Sequence, residues 1–180
     1  MRIRTPLLVT AAAATMLAGV ALPASAAPTG GTTTTFSLVG GALDVTVQTA
    51  AALTGGGLTT AGNAHDVTGS LGLVMVDDGR SAGATGWVAS AASTAGFNLT
   101  TPADGSQSDN VYYEAAMAGT PTRVTATPTA KKSIKISAPV VNGTNATNNN
   151  TASWTPTLTV TLPSTAAIGD YTGTVTTSVA

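Results

Sequence analysis

The sequence predicts an all-β protein, an antiparallel two-sheet β-sandwich of about eight or nine strands behind a cleaved signal peptide. Three observations predict it. Threonine supplies 35 of the 180 residues and glycine 20; both are poor interior helix formers, and threonine suits a pleated, half-exposed strand. Apolar residues recur at every second position over short runs. Between the runs lie clusters of Gly, Pro, Asn, Asp and Ser, which favour turns.

The first 26 residues read as a processing signal. Arg2 and Arg4 make a basic start, Leu7 to Leu22 is an almost uncharged apolar run, and Ala24-Ser25-Ala26 has the small-residue pattern of a cleavage site. The run is short for a membrane span, and Pro6 and Pro23 fit cleavage better. The expected mature chain begins at Ala27, with a flexible Thr/Pro/Gly lead over 27–35 and one domain over 36–180. Removing Arg2 and Arg4 leaves five basic against eight acidic residues, a net charge of −3. That balance gives no electrostatic case for nucleic acid or an anionic membrane surface. With no cysteine, a secreted domain must hold together by packing alone, which a chain of about 150 residues can do. The missing cysteine also excludes a lipid-modified N-terminus, and the last residues carry no sortase motif or stop-transfer run.

Strands follow in order. Leu43, Val45 and Val47 alternate with Asp44, Thr46 and Gln48. Only 8% of the chain is charged, yet Asp77, Asp78 and Arg80 fall within four positions of "VMVDDGRSAGATGW" (74–87). This reads as a strand, a charged turn in which Asp caps backbone N–H groups and Arg80 pairs with a carboxylate, then a second strand. In that strand Trp87, Ala89 and Ala91 share one face, which favours core packing of the indole over exposure for stacking on a sugar. Val124 alternates with Thr125, and Ile134 and Ile136 bracket Lys135 in a basic strand edge, "KKSIK". Leu158, Val160 and Leu162, then Tyr171, Val175 and Val179, keep the same period, and 163–170 reads as the long loop of a terminal hairpin. Pro156 suggests that Trp154 stands on an edge strand. "TGGGL" (54–58), "PADGSQSDN" (102–110) and "NGTNATNNNT" (142–151) read as loops.

"LGLVMVDDGRSAGATGWVASAASTAGF" and "ASWTPTLTVTLPSTAAIGDYTGTVTTSVA" together resemble the WxL family, secreted modules of Gram-positive and actinobacterial surfaces. Asp78, Arg80, Gly86, Trp87 and Phe97 look like that family's Asp-x-Arg turn, Gly-Trp strand and following Phe. Gly169, Tyr171, Thr172, Thr174 and Thr176 look like its C-terminal strand. The chain departs where Trp87-Val88-Ala89 has alanine for leucine, and where "TVTTS" has threonine for the second tryptophan. The resemblance implies an Ig-like sandwich and non-covalent attachment to peptidoglycan, with Asp78, Arg80, Trp87 and Tyr171 as candidate binding positions.

Chemistry is sparse. His65 is the only histidine and Glu114 the only glutamate. No Gly-x-Ser-x-Gly elbow offers a nucleophile, and His65 reads as a loop residue. No set of nitrogen or sulfur ligands suggests a metal, and the Asp-rich turns lack the alternating oxygens of a calcium loop. Asn98, Asn142, Asn145 and Asn149 begin N-x-[ST] patterns but read as polar loop residues in a bacterial export context. The expectation is a secreted, cell-wall-associated, non-enzymatic surface module without cofactor, whose partners are peptidoglycan or other surface proteins. The alternative is a fibre or layer subunit assembling through strand edges.

Overall fold

The computed structural model describes residues 35–37, 39–54, 64–80, 85–101, 107–108 and 110–180. The signal peptide, all but the last residue of the expected lead, and most of the 54–58 and 102–110 loops lie outside the described residues. The chain divides after Ser37, and every strand belongs to the unit that follows.

All regular structure among the described residues is β: β1 (Leu43–Thr46), β2 (His65–Ser70), β3 (Val74–Asp78), β4 (Gly86–Ala92), β5 (Phe97–Thr101), β6 (Gln107–Ser108), β7 (Val111–Met117), β8 (Thr125–Pro128), β9 (Lys132–Ser133), β10 (Ala138–Thr144), β11 (Asn150–Leu162), β12 (Asp170–Gly173) and β13 (Thr176–Val179). They form three antiparallel sheets. The largest runs β1-β3-β11-β7-β9 with β2 also on β11; the others run β13-β4-β10-β8 and β12-β5-β6. Among the described residues there are thirteen strands in three sheets, against the eight or nine in two that were expected. Two of the extra pieces, β6 and β9, are only two residues long.

The thirteen-residue β11 organises the largest sheet. β7 covers one side of it, while β2 and β3 cover successive halves of the other. Ser70 faces Thr157 and Val74 faces Trp154, so three residues on one side stand against two on the other. That is a β-bulge. Gly72 takes a φ of 82° there, a conformation that favours glycine. Pro156 lies opposite this bulge and accepts a hydrogen bond from the Leu71 N–H at 3.0 Å. Its missing donor therefore faces the one place where the ladder is already interrupted. Pro156 does not mark an edge: β11 is flanked on both sides, and the proline is tolerated because of the bulge.

The terminal segment also departs from expectation. β12 pairs with β5, and β13 pairs with β4, so no 154–180 hairpin forms. Both sides of β11 are already occupied, and the chain after it must pair elsewhere.

The apolar periodicity is kept. Trp87, Ala89 and Ala91 are buried, as are Leu158 and Val160, while Leu162, Val175 and Val179 pack partly buried against them. Trp87 of one sheet stacks on Trp154 of another, ring centroids 6.4 Å apart and planes at 21°. Ile134 is buried but Ile136 is 76% exposed, because β9 ends at Ser133 and alternation stops before Lys135. Among the described residues no helix is long and apolar enough to cross a membrane.

Candidate functional site

Asp78 closes β3 with its side chain fully buried, and strand pairing sets Asn150 of β11 directly opposite. Arg80 folds back onto it. Its Nε donates to Asp78 Oδ1 at 2.8 Å and one NH2 nitrogen to Oδ2 at 3.1 Å. The same nitrogen donates to the Gly86 carbonyl at 2.8 Å, tying the charged turn to the start of β4. The Arg80 backbone N–H donates to Asp78 Oδ1 at 3.1 Å, the cap expected of this turn. Below the turn, Gly41 and Gly79 extend the β1–β3 ladder through backbone bonds.

Asn150 continues the chain inward. Its Nδ2 donates to Asp78 Oδ2 at 3.0 Å and its Oδ1 accepts from Trp87 Nε1 at 3.0 Å. Beyond the indole stack, Trp154 Nε1 donates to the Tyr113 hydroxyl at 2.8 Å. Both buried indole N–H groups are thus satisfied, as such groups require. Gly143 faces Trp87 across the β4–β10 pair, and a Cβ there would come within 2.4 Å of the ring. Only glycine leaves room for the indole.

The electrostatics follow. The Arg80 guanidinium, helped by Asn150 and the Arg80 backbone N–H, outweighs desolvation and holds the Asp78 carboxyl at about 2, below its ordinary 3.8. Asp78 in turn raises Arg80. Burial pushes the Tyr113 hydroxyl up to about 12, against the hydrogen bonds from Trp154 and Thr177. An ionised Asp78 with both oxygens engaged does not serve as a general base. A 2%-exposed Trp87 offers no face to a sugar. This corner is built to hold the sheets together.

No family model, curated protein or solved structure matches the chain.

Of the four candidate positions, Asp78, Arg80 and Trp87 come together and Tyr171 stands apart. Tyr171 lies half-buried on β12, its hydroxyl donating to the Ala167 carbonyl at 2.9 Å. It lines a cavity of about 690 Å³ whose walls are residues 51–53, β2, β11, β12, Phe97 of β5 and residues 166–169. Gly173 lets the Phe97 ring lie against β12: a Cβ there would meet Phe97 Cδ2 at 2.7 Å. His65 also lines the cavity, and it belongs to β2 rather than to a loop. Its Nε2 is buried and has no hydrogen-bond partner among the described residues.

Sequence reasoning missed Asn150, Tyr113 and Gly143. Nothing in "TNNNT" sets Asn150 apart from its neighbours; its strand register opposite Asp78 does.

Proposed function

We propose that the chain is a secreted, non-enzymatic, WxL-like surface module, an Ig-like β-sandwich that associates non-covalently with cell-wall peptidoglycan. One observation carries the reading: Asp78, Arg80, Gly86 and Trp87, the positions that carry the resemblance, form one hydrogen-bonded unit through Arg80 and Asn150. A scaffold role for that unit leaves wall contact to the surrounding surface, where the one-third-exposed Arg80 and the Tyr171 region are the candidates. The Trp87–Trp154 stack between the two larger sheets supports the sandwich description.

The test is sedimentation with purified peptidoglycan. A wall module pellets with the sacculi as a monomer and stays in solution without them. A second reading, a surface fibre or layer subunit, is favoured by β8 and β13, which are the edge strands of the four-stranded sheet among the described residues. It predicts polymers in the absence of wall material, seen by light scattering. Monomeric protein that ignores peptidoglycan would refute both readings.

A further inference from the structure

We infer that the cavity bordered by β2, β5, β11 and β12 is an acceptor groove for a second copy of this chain, which adds the uncharged stretch around its Phe36 as an extra strand. The manner in which the strands line the cavity carries this. β2 contributes His65 and Val67, and β11 contributes Val160 and Leu162, alternate residues that show one face of a sheet. β12 contributes Asp170, Tyr171, Thr172 and Gly173 in succession. A strand lines a space with consecutive residues when its backbone edge borders that space. β12 is also the last strand of its sheet, paired with β5 alone among the described residues. A strand laid beside β12 would bond to the backbone groups that point away from β5, and would cover the half-buried Val67 and Leu162. The mixed lining suits such a guest, with backbone to meet backbone and apolar residues to meet a side chain. Edge chemistry agrees: β9 carries Lys132 beside Lys131, a deterrent to pairing, whereas β12 carries no lysine or arginine. The edges β8 and β13 do not line the cavity.

The donor is the stretch before β1. Phe36 and Val39 are 89% and 88% exposed and belong to no strand. Residues 32–39, "TTTTFSLV", have strand-forming composition and no charge. The chain is anchored at Gly41, whose N–H donates to the Gly79 carbonyl at 2.6 Å beside the Asp78 corner. From Gly41 back to Phe36 it spans at most about 18 Å. β11 is thirteen residues long, so the groove at its Leu162 end stands roughly 40 Å from the corner at its Asn150 end. Phe36 therefore reaches a neighbour's groove and not its own, and copies join head to tail. One short strand makes a small contact, so the copies separate on dilution. The inference goes beyond wall binding, and the two can fail separately because the test contains no wall material.

A labelled peptide of residues 32–41 should bind the intact secreted protein saturably, one per chain, and Phe36→Asp in the peptide should weaken it at least about tenfold. In sedimentation velocity the protein should form open-ended oligomers that grow with concentration. Phe36→Asp in the protein removes the donor, and Ala166→Trp, at a half-buried position on the groove wall, blocks the acceptor. Each variant alone should be monomeric with its melting transition retained. Mixed, they should form dimers and nothing larger, since one intact donor meets one intact groove. If Ala166→Trp does not fold, the peptide experiment decides the matter. Peptide binding that does not saturate, a protein monomeric at every concentration, or a mixture of folded variants that stays monomeric would each overturn the inference. Oligomers that survive Phe36→Asp would also overturn it and would assign assembly to another edge, β8 or β13.

Discussion

The molecule has two polar regions that resolve opposite problems. At the Asp78 corner every buried group is answered: carboxylate by guanidinium, amide by carboxylate, indole N–H by amide. At the cavity end a buried imidazole nitrogen has no hydrogen-bond partner among the described residues, and the cavity beside it is open. The first arrangement fixes a geometry. The second keeps a space. Both draw on the same central strand, whose Asn150 end serves the corner and whose Leu162 end serves the cavity.

Substitutions at the two ends should therefore differ in size. The largest effect belongs to Trp87→Ala. Losing an indole that buries about 200 Å², and leaving Asn150 Oδ1 without its donor, should cost about 3–5 kcal/mol in denaturant unfolding. A variant as stable as the parent would mean that Trp87 is not a core element. Asp78→Ala comes next, at about 3 kcal/mol, because it leaves Arg80 and Asn150 without their shared acceptor. Asp78→Ala and Asn150→Ala combined should cost less than the sum of the two alone, a sign that they act through one network.

A milder challenge to the same corner is acid. The folded Asp78 carboxyl titrates near 2 against 3.8 for the unfolded group. Its contribution is complete above about pH 4 and fades as pH falls toward 2, a loss on the order of 1–2 kcal/mol given that Arg80 is one-third exposed. Thermal melts across that window check the sign, and Asp78→Ala should flatten this component. At the other end, Leu162→Ala should cost only about 1–2 kcal/mol, since the residue is partly exposed and already borders a void. A loss equal to that of Trp87→Ala would erase the contrast between the ends. The smallest effect is Tyr171→Phe, at or below about 1 kcal/mol, which removes one half-buried hydrogen bond to Ala167.

What could be read from the sequence was local. Period two located the inward faces of the strands holding Leu43, Trp87 and Leu158, because alternation reports which side meets water. The charged turn was legible for the same reason, since Asp78 and Arg80 are two residues apart and meet without help from the rest of the chain. Partner choice was not legible. Where β12 and β13 pair depends on which sides of β11 are already taken by β2, β3 and β7, segments about 40 to 95 residues away in sequence. Asn150 and His65 acquire their importance from that long-range pairing, so no motif announced them.

The bulge at residues 71–73 has one more consequence, for how this chain can change length. Along β2 the inward positions are odd-numbered (His65, Val67, Gly69), and along β3 they are even-numbered (Val74, Val76, Asp78), while β11 keeps even numbers inward throughout. The extra residue acts as a phase switch between two reading frames of side-chain direction. Deleting one of these residues would leave two against two, so β2 and β3 would fall into a single frame and both the cavity wall and the buried carboxylate would stay inward. The cost would fall on Pro156, whose missing N–H would then face a regular position of the ladder, so a descendant that loses the bulge should lose the proline with it.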